Sequence, residues 1–360
     1  MSIIENSWRS RGLTAVLLLP VSWVYGAVLS VRRLAYAQGW KASTTVPLPV
    51  VVVGNLSVGG TGKTPLCAYL VERFIEEGWR PAIVSRGFGG RRWALPHLVC
   101  KSDTPGHVGD EPVLLFEQTG VPVCVCVNRA LAVRKIAEAT NANIVFSDDG
   151  LQHLSMPRVA EVLVIDGQRG FGNGWLLPAG PLRDSFNSLH DIDIVAIQVP
   201  SASALNTDKS ETRRELHRSL NSNALSRLQS DATEQVFSLE AIDALELATG
   251  ITIALSEFSG QRVHAVAGIG HPQRFFDSLT QLGIDVIAHS KVDHAEYSLD
   301  DIDFEDGLPV LVTVKDAVKL KSFDRLPKKV YQINTRVIVS DALDFLIVKL
   351  KEKLALIVKL

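Results

Sequence analysis

A glycine-rich stretch at residues 54–65, which reads GNLSVGGTGKTP, constrains this chain more than any other feature. It follows an apolar run typical of a buried strand, and the apolar spacing after it predicts a helix that ends near Gly78. A strand, a glycine-rich turn and a helix N-terminus form a cradle for phosphate groups, because glycine lets backbone N–H groups approach the anion. The general phosphate-binding pattern has glycine where this chain has Ser57. A plain glycine-rich turn is the alternative, but the flanking elements favour nucleotide binding.

Individual residues of this stretch suit the parts of a nucleotide site. Lys63 would reach the β- and γ-phosphates, and the hydroxyl of Thr64 would bind Mg²⁺. The residues expected to surround the phosphates are Ser57, Val58, Gly59, Gly60, Thr61, Gly62, Lys63 and Thr64. The stretch therefore predicts binding of ATP or GTP together with Mg²⁺.

Length and composition limit the fold and the partners. At 360 residues the chain is long enough for two domains. A formal net charge of −2 gives no overall case for nucleic-acid binding, and no protein partner is evident. The spacing of the four cysteines matches no metal-binding or disulfide framework, and Cys124 and Cys126 lie in an apolar run that predicts small core residues.

The N-terminal region contains 19 consecutive residues without a charge, at positions 13–31, with arginines on both sides. As one helix this segment would extend roughly 28 Å, close to the hydrocarbon thickness of a bilayer. A signal peptide cleaved after residues 35–37 is one interpretation, although Arg32 and Arg33 directly before that site disfavour it. A buried core helix is another. We favour a membrane anchor, and whether it spans the bilayer or lies in the interface stays open.

Apolar strands alternate with helical segments along the rest of the chain. Such alternation predicts an α/β fold like that of phosphate-loop NTPases, with a mostly parallel sheet covered on both faces and a second, smaller α/β domain. We expect strands at residues 50–53, 80–85, 121–127, 143–147, 161–166, 192–199, 235–239, 262–267, 284–288, 309–313 and 329–339.

Changes in composition suggest four parts. Residues 1–35 form the membrane-associated helix, residues 36–234 the nucleotide-binding domain, residues 235–339 the second domain and residues 340–360 a C-terminal helix. Residues 201–235 are polar and are interpreted as a surface excursion or a solvated helix. The extended segments at 235–239 and 329–339 would pair as a two-strand connection between the domains.

Acidic residues occur at two further places. Asp148 and Asp149 follow an expected strand, where carboxylates beside a phosphate loop hold Mg²⁺; an ordinary Asp-Gly turn is the alternative. Asp110 and Glu111 lie at an expected helix start, where they could serve the site or only stabilise the helix N-terminus.

Three basic or titratable residues complete the candidates. Arg86 ends the second strand and could reach phosphate or substrate, or lie on the surface. Arg183 ends a loop rich in glycine, proline and apolar residues, which suits a ligand with an apolar part and an anionic part. His294 follows Asp293, and such a pair could remove a hydroxyl proton if the second domain closes over the first.

Together these motifs resemble one family, the tetraacyldisaccharide 4′-kinases. The resemblance covers nearly the whole chain and is carried by an ordered set of segments: GNLSVGGTGKTP at 54–65, SRGFGG at 85–90, VGDEP at 108–112, SDDGLQH at 147–153, DGQRGFGNGWLLPAGPLRD at 166–184, AGIGHPQRFF at 267–276, DH at 293–294 and KDAVK at 315–319. The family tolerates serine at position 57. Val314 departs from its pattern, as do residues 157–159, so no role is assigned to them.

The resemblance implies a kinase at the cytoplasmic face of the bacterial inner membrane. Such an enzyme transfers the γ-phosphate of ATP to the 4′-hydroxyl of a lipid A precursor, a tetraacylated disaccharide 1-phosphate. The resemblance implies that Lys63 and Thr64 bind the phosphates and Mg²⁺, and that Asp148 and Asp149 organise the metal and the nucleophile. It also implies that Asp110 and His294 form an acid–base pair, and that Glu111 and Arg183 support metal and phosphate charge.

Two other function classes stay open at this point. One is a phosphate-loop GTPase or metallochaperone, although residues 313–316 have the wrong spacing for the guanine-binding motif Asn/Thr-Lys-x-Asp. The other is a membrane-bound nucleotide sensor, which would bind nucleotide tightly without transferring phosphate.

Overall fold

The computed structural model describes residues 7–8, 10–41, 43–91, 93–200, 232–323, 325–339 and 343–358. Within these residues thirteen strands form one sheet. The strands are β1 Val50–Gly54, β2 Pro81–Ser85, β3 His97–Leu98, β4 Val123–Val125, β5 Ile144–Asp148, β6 Ala160–Asp166, β7 Ile194–Val199, β8 Thr233–Glu246, β9 Thr252–Ala254, β10 Arg262–Ala267, β11 Asp285–Ser290, β12 Val310–Thr313 and β13 Val330–Val339. The α-helices are α1 Leu13–Leu17, α2 Leu19–Ala37, α3 Lys63–Glu76, α4 Pro105–Val108, α5 Asp110–Thr119, α6 Arg129–Ala139, α7 Pro272–Gln281, α8 Val314–Leu320 and α9 Leu343–Val358.

The first half of the sheet is parallel and buried at its centre. Its order is β7-β6-β1-β5-β2-β4, with the short β3 antiparallel at the edge. β1 reads VVVVG and every one of its residues is buried, as expected for a parallel strand covered on both faces. Val53 of β1 pairs with Asp148 of β5, so the glycine-rich stretch and the two aspartates leave the sheet side by side.

The second half continues the same sheet. β8 runs parallel to β7 on one side and antiparallel to β13 on the other, and β13, β12, β10 and β11 follow in parallel. Phe237 pairs with Val339 and Leu239 with Val337, so the two segments predicted to pair do so, over a longer stretch than predicted. The mixed α/β architecture with a mostly parallel sheet agrees with the sequence prediction.

The N-terminal segment differs from the single helix that was predicted. The helix is interrupted at Leu18, because Pro20 occupies the first turn of a new helix, α2, and proline favours such positions. In the part of the chain that the structure describes, no helix has both the length and the apolar character needed to cross a bilayer. Instead, α2 packs on the protein: the Ser22 hydroxyl donates to the Leu176 carbonyl at 2.9 Å, and the Tyr25 hydroxyl donates to the Arg183 carbonyl at 2.8 Å.

The C-terminal helix also packs on the sheet. Its Ile347, Leu350 and Leu354 are buried in the same core cluster as Phe74 of α3. The polar segment that was interpreted as a surface excursion lies, up to residue 231, outside the described residues. Cys124 and Cys126 are buried in the core, as predicted.

Candidate active site

The glycine-rich stretch forms a tight loop between β1 and α3. Gly62 has a φ of 79°, in the left-handed region that favours glycine, and a Cβ there would lie 3.0 Å from Oε1 of Gln198. The Asn55 side-chain amide donates to the Thr61 hydroxyl at 3.0 Å and closes the loop from inside. α3 begins at Lys63, so its N-terminal backbone amides point into the loop.

Carboxylates from the end of β5 face the start of α3. The Thr64 hydroxyl donates to Oδ2 of Asp148 at 3.3 Å, and Nζ of Lys63 lies 3.7 Å from Oδ1 of Asp149. The other Asp148 oxygen, Oδ1, is buried without a hydrogen-bond partner among the described residues. A buried carboxylate oxygen of this kind, beside a hydroxyl, matches the oxygen ligands that Mg²⁺ prefers.

The two adjacent aspartates have opposite electrostatic environments. Burial, together with the nearby Glu111 and Asp149, raises the pKa of Asp148 to about 7. Burial would also raise the pKa of Asp149, but Lys63 and Arg183 outweigh it and hold that pKa below its usual value. Arg183 donates to both Asp149 oxygens, each at 2.8 Å, and this bidentate geometry fixes the carboxylate in place.

A second cluster forms where α5 of the first half meets the loop after β11. Oδ2 of Asp110 lies 3.1 Å from Nδ1 of His294 and 3.2 Å from Nζ of Lys319. Burial would raise the pKa of Asp110, but the His294 hydrogen bond and Lys319 lower it overall, so the carboxylate is ionised at neutral pH.

The far side of the His294 ring is also held. Nζ of Lys315 lies 3.2 Å from its Nε2 and donates to Asp293 at 2.9 Å. Nζ of Lys315 is 3.8 Å from Oε1 of Glu111 as well. Burial would lower the pKa of Lys315, but Glu111 and Asp293 raise it, so the lysine keeps its charge. The cluster is therefore a network of alternating charges around one imidazole.

The two halves also meet directly above the glycine-rich loop. A Cβ on Gly270 would lie 2.4 Å from the backbone nitrogen of Gly60, closer than any side chain permits. Arg169 donates to the Val58 carbonyl at 2.8 Å and contacts His271. Loop 268–271 of the second half therefore touches the loop that was predicted to hold phosphates.

The structure brings most of the predicted site residues together. Glu111 links the two clusters, since its charge raises the pKa of Asp148 on one side while Lys315 contacts it on the other. Arg86 follows β2 and is exposed. The catalytic and binding roles assigned to all of these residues stay predictions.

Sequence reasoning missed several members of the site. Lys315 and Lys319 lie in the KDAVK segment, which was recognised as a motif but given no role. Their spacing of four places both on one face of α8, which is the signal that could have found them. Arg129 is buried, and its guanidinium donates to the Asp148 carbonyl at 3.1 Å. No local pattern marks it.

Comparison with known proteins decides the family. A family model described as tetraacyldisaccharide-1-P 4′-kinase matches residues 14–352. The chain belongs to this family. A tetraacyldisaccharide 4′-kinase of Hahella chejuensis is 40% identical over 326 residues, covering 89% of this chain and 88% of the relative. The enzyme of the same name from Stenotrophomonas maltophilia is 42% identical over 313 residues, covering 84% and 86%.

A solved structure of the family has the same fold. The LpxK protein of Aquifex aeolicus, determined in complex with ATP, superimposes with a TM-score of 0.73 at 25% identity, covering 94% of this chain and 99% of that one. Family membership makes the chain a kinase and confirms the resemblance drawn from its motifs.

Proposed function

We propose that this kinase transfers the γ-phosphate of ATP to the 4′-hydroxyl of a tetraacyldisaccharide 1-phosphate, a step of lipid A synthesis. The names of its relatives and the ATP bound to the Aquifex aeolicus protein support the two substrates. The observation that carries the proposal is the Asp110–His294 pair. Glu111, directly after Asp110, is close enough to raise the pKa of Asp148, which leaves the sheet beside the glycine-rich loop.

On the donor side, ATP phosphates would lie along the backbone of residues 57–64. Lys63 at the start of α3 would neutralise the β- and γ-phosphates, and its ion pair with Asp149 keeps the ammonium in place. Arg183, which fixes Asp149, adds positive charge near the transferred group. Phosphoryl transfer depends mostly on positioning and charge stabilisation, and these contacts provide both.

Mg²⁺ would be held by oxygen atoms of Thr64 and Asp148, with Glu111 close enough to contribute. The unpartnered Oδ1 of Asp148 supports this assignment. When bound, the cation would offset the negative charge of the phosphates. It would also relieve the repulsion among the acidic residues that raises the pKa of Asp148.

On the acceptor side, Asp110 would accept the proton of the 4′-hydroxyl as the new P–O bond forms. His294 orients the carboxylate through its Nδ1, and Lys315 and Asp293 hold the ring from its Nε2 side. A carboxylate with a lowered pKa is a modest base, which suits a loose transition state in which the acceptor proton leaves late.

The exposed face of α2 supports attachment to the cytoplasmic face of the inner membrane. Val21, Val24, Val28 and Val31 recur at intervals of three and four on one side of the helix, and each is more than half exposed. Trp23, exposed by 69%, suits the headgroup level. We propose that α2 lies along the membrane surface with this face in the lipid, so that the acylated substrate reaches the site from the bilayer.

Transfer of radiolabel from [γ-³²P]ATP to purified tetraacyldisaccharide 1-phosphate tests the activity. We expect labelled product with ATP and Mg²⁺, and little with GTP. Strict dependence on GTP would favour the GTPase class, and tight nucleotide binding without any labelled glycolipid would favour a sensor.

Flotation with vesicles of phosphatidylethanolamine and phosphatidylglycerol tests the membrane attachment. Replacing Val24 and Val28 with glutamate should move the protein from the vesicle fraction to the free fraction. Ile251→Glu is the matched control, because Ile251 is a similarly exposed apolar residue of the second half. Equal loss in the control would contradict a role specific to α2.

A further inference from the structure

Residues 97–107 bring three metal-binding side chains together outside the proposed kinase site, with a cysteine beside them. His97 lies in the edge strand β3, Cys100 and Asp103 lie in the turn after it, and His107 lies in α4. Their spacing, His-x₂-Cys-x₂-Asp-x₃-His, is a compact mixed set that a count of cysteines alone does not reveal.

Asp103 is the centre of this cluster. Its Oδ2 lies 2.8 Å from Nε2 of His97, and its Oδ1 contacts Nδ1 of His107. One ligand atom from each of these three residues lies within 4.8 Å of the other two. The Cys100 thiol is 3.4 Å from the same Oδ2. Three groups able to bind one cation therefore lie together, and the Cys100 thiol lies beside one of them.

The cluster is held in position by its surroundings. Trp93 stacks on the His97 ring with centroids 4.2 Å apart and meets the His107 ring edge-on at 4.9 Å. The Trp93 indole N–H donates to the His107 carbonyl at 3.0 Å. Pairing of β3 with β4 fixes the backbone of His97 opposite Val125. The imidazoles are thus oriented before any ligand arrives, which lowers the entropic cost of binding.

The carboxylate is buried while the other groups reach the surface. The Asp103 side chain is 3% exposed, and those of His97 and His107 are 25% and 33% exposed. Oδ2 of Asp103 accepts from the Cys100 backbone N–H at 2.9 Å. A cation would reach the carboxylate from solvent past the partly exposed histidines.

We propose that His97, Asp103 and His107, with the Cys100 thiolate as fourth ligand, bind one divalent transition-metal ion of the Zn²⁺ class. Two neutral imidazoles, one carboxylate and one thiolate balance the charge of such a cation and match the ligand types of tetrahedral zinc sites. On binding, the Cys100 thiol loses its proton to solvent and the cation replaces the imidazole–carboxylate hydrogen bonds.

The ion would join β3 to the short helix directly before Asp110. The His107 carbonyl also accepts from the Arg91 backbone N–H at 3.0 Å, so the site would brace the turn that leads into α5. Its role would be structural, and it rests on residues that the proposed transfer reaction does not use.

The test is a Co²⁺ titration of the metal-free full-length kinase in excess Mg²⁺, which keeps the oxygen-rich kinase site occupied. We expect one equivalent of Co²⁺ to bind and to produce a thiolate-to-cobalt charge-transfer absorption band. Zn²⁺ should displace Co²⁺, abolish the band and raise the melting temperature. The absorption band needs no turnover. The metal proposal can therefore fail while the kinase activity is confirmed, and the kinase activity can fail while the metal proposal is confirmed.

Three variants separate the ligands from the fold. Cys100→Ser should abolish the charge-transfer band, and His107→Gln should weaken Co²⁺ binding about 100-fold. His190→Gln, at an exposed histidine elsewhere, should behave like the parent protein. Melting in the presence of chelator shows that each variant folds. Absence of the band in the parent protein, or equal Co²⁺ binding by the His107 variant, would overturn the proposal.

Discussion

The proposed phosphate cradle and the Asp110–His294 pair are built in different ways. Residues 55–64 and 148–149 leave two adjacent strands of one half, so the cradle is assembled by local pairing of β1 and β5. Asp110 and His294 are 184 positions apart and come from different halves of the sheet. Their contact depends on β8 and β13, which join the halves. The cradle is thus formed by one half of the sheet, whereas the pair requires both halves.

The largest effect should come from removing the cradle's central charge. Lys63→Ala is expected to lower kcat/KM by about 10³-fold or more, because a cation at the transferred phosphate is among the strongest contributors to this chemistry. Steady-state rates of labelled product would measure it. Lys321→Ala, which removes an exposed lysine paired with Glu117, should leave the rate unchanged. Turnover near normal in the Lys63 variant would remove this residue from the site.

Breaking the pair between the halves should have a smaller effect. Asp110→Asn and His294→Gln are each expected to lower kcat about 10²-fold with little change in ATP affinity. Because the two residues act as a unit, the double variant should be hardly slower than either single one. Effects that multiply in the double variant, or a defect confined to ATP binding, would contradict the pairing.

Contact between the two loops can be probed by adding one methyl group. Gly270→Ala places a Cβ against the Gly60 backbone and should raise the KM for ATP about tenfold, equivalent to about 1.4 kcal/mol. Gly106→Ala is the matched control, since a Cβ at Gly106 meets no atom within 4 Å. Gly270→Ala should also lower the melting temperature, because the Gly60 backbone must shift, whereas Gly106→Ala should leave it unchanged. An unchanged KM would mean that the loops separate during turnover.

The effect with the least influence on turnover concerns stability in the half of the sheet that carries the cradle. Burial raises the pKa of Glu161 in β6 to about 7, opposed by Arg158. As pH rises above the unfolded-state pKa, the unfolded chain loses its proton first, so this residue costs stability between about pH 4.5 and 7. Glu161→Gln should therefore gain stability relative to the parent by up to about 2 kcal/mol from pH 5 to pH 8. Denaturant unfolding at each pH would measure this difference in stability. Glu138→Gln, at an exposed glutamate, is the control.

Sequence patterns predicted where the two segments of the proposed cradle lie, because each segment directly follows a strand. Lys63, Thr64, Asp148 and Asp149 follow strands whose apolar runs are unambiguous, and parallel strands deliver their carboxyl ends to one edge. The overall α/β class followed from the same alternation. The family resemblance supplied the pairing of Asp110 with His294, which no local pattern contains.

The features that the sequence did not predict depend on tertiary packing. An uncharged run predicted one long helix, yet Pro20 starts a second helix and the break at Leu18 follows. The β4 region was predicted as a strand over residues 121–127, but the strand is Val123–Val125, the three residues that pair with β2. Arg129 carries no sequence signal, since its place in the site comes from the Asp148 carbonyl that tertiary structure sets beside it.

The packing of α2 against residues 183 and 184 has a practical consequence. Residue 183 is held from both sides: its N–H donates to the Leu56 carbonyl, and its own carbonyl accepts from Tyr25. Arg33 binds the next residue, Asp184, at 2.7 Å. Trimming the N-terminus to ease purification would therefore loosen the guanidinium that steadies Asp149. Low turnover by an enzyme that lacks the N-terminal segment would therefore first indicate a disturbed active site, and would not by itself show that activity requires lipid.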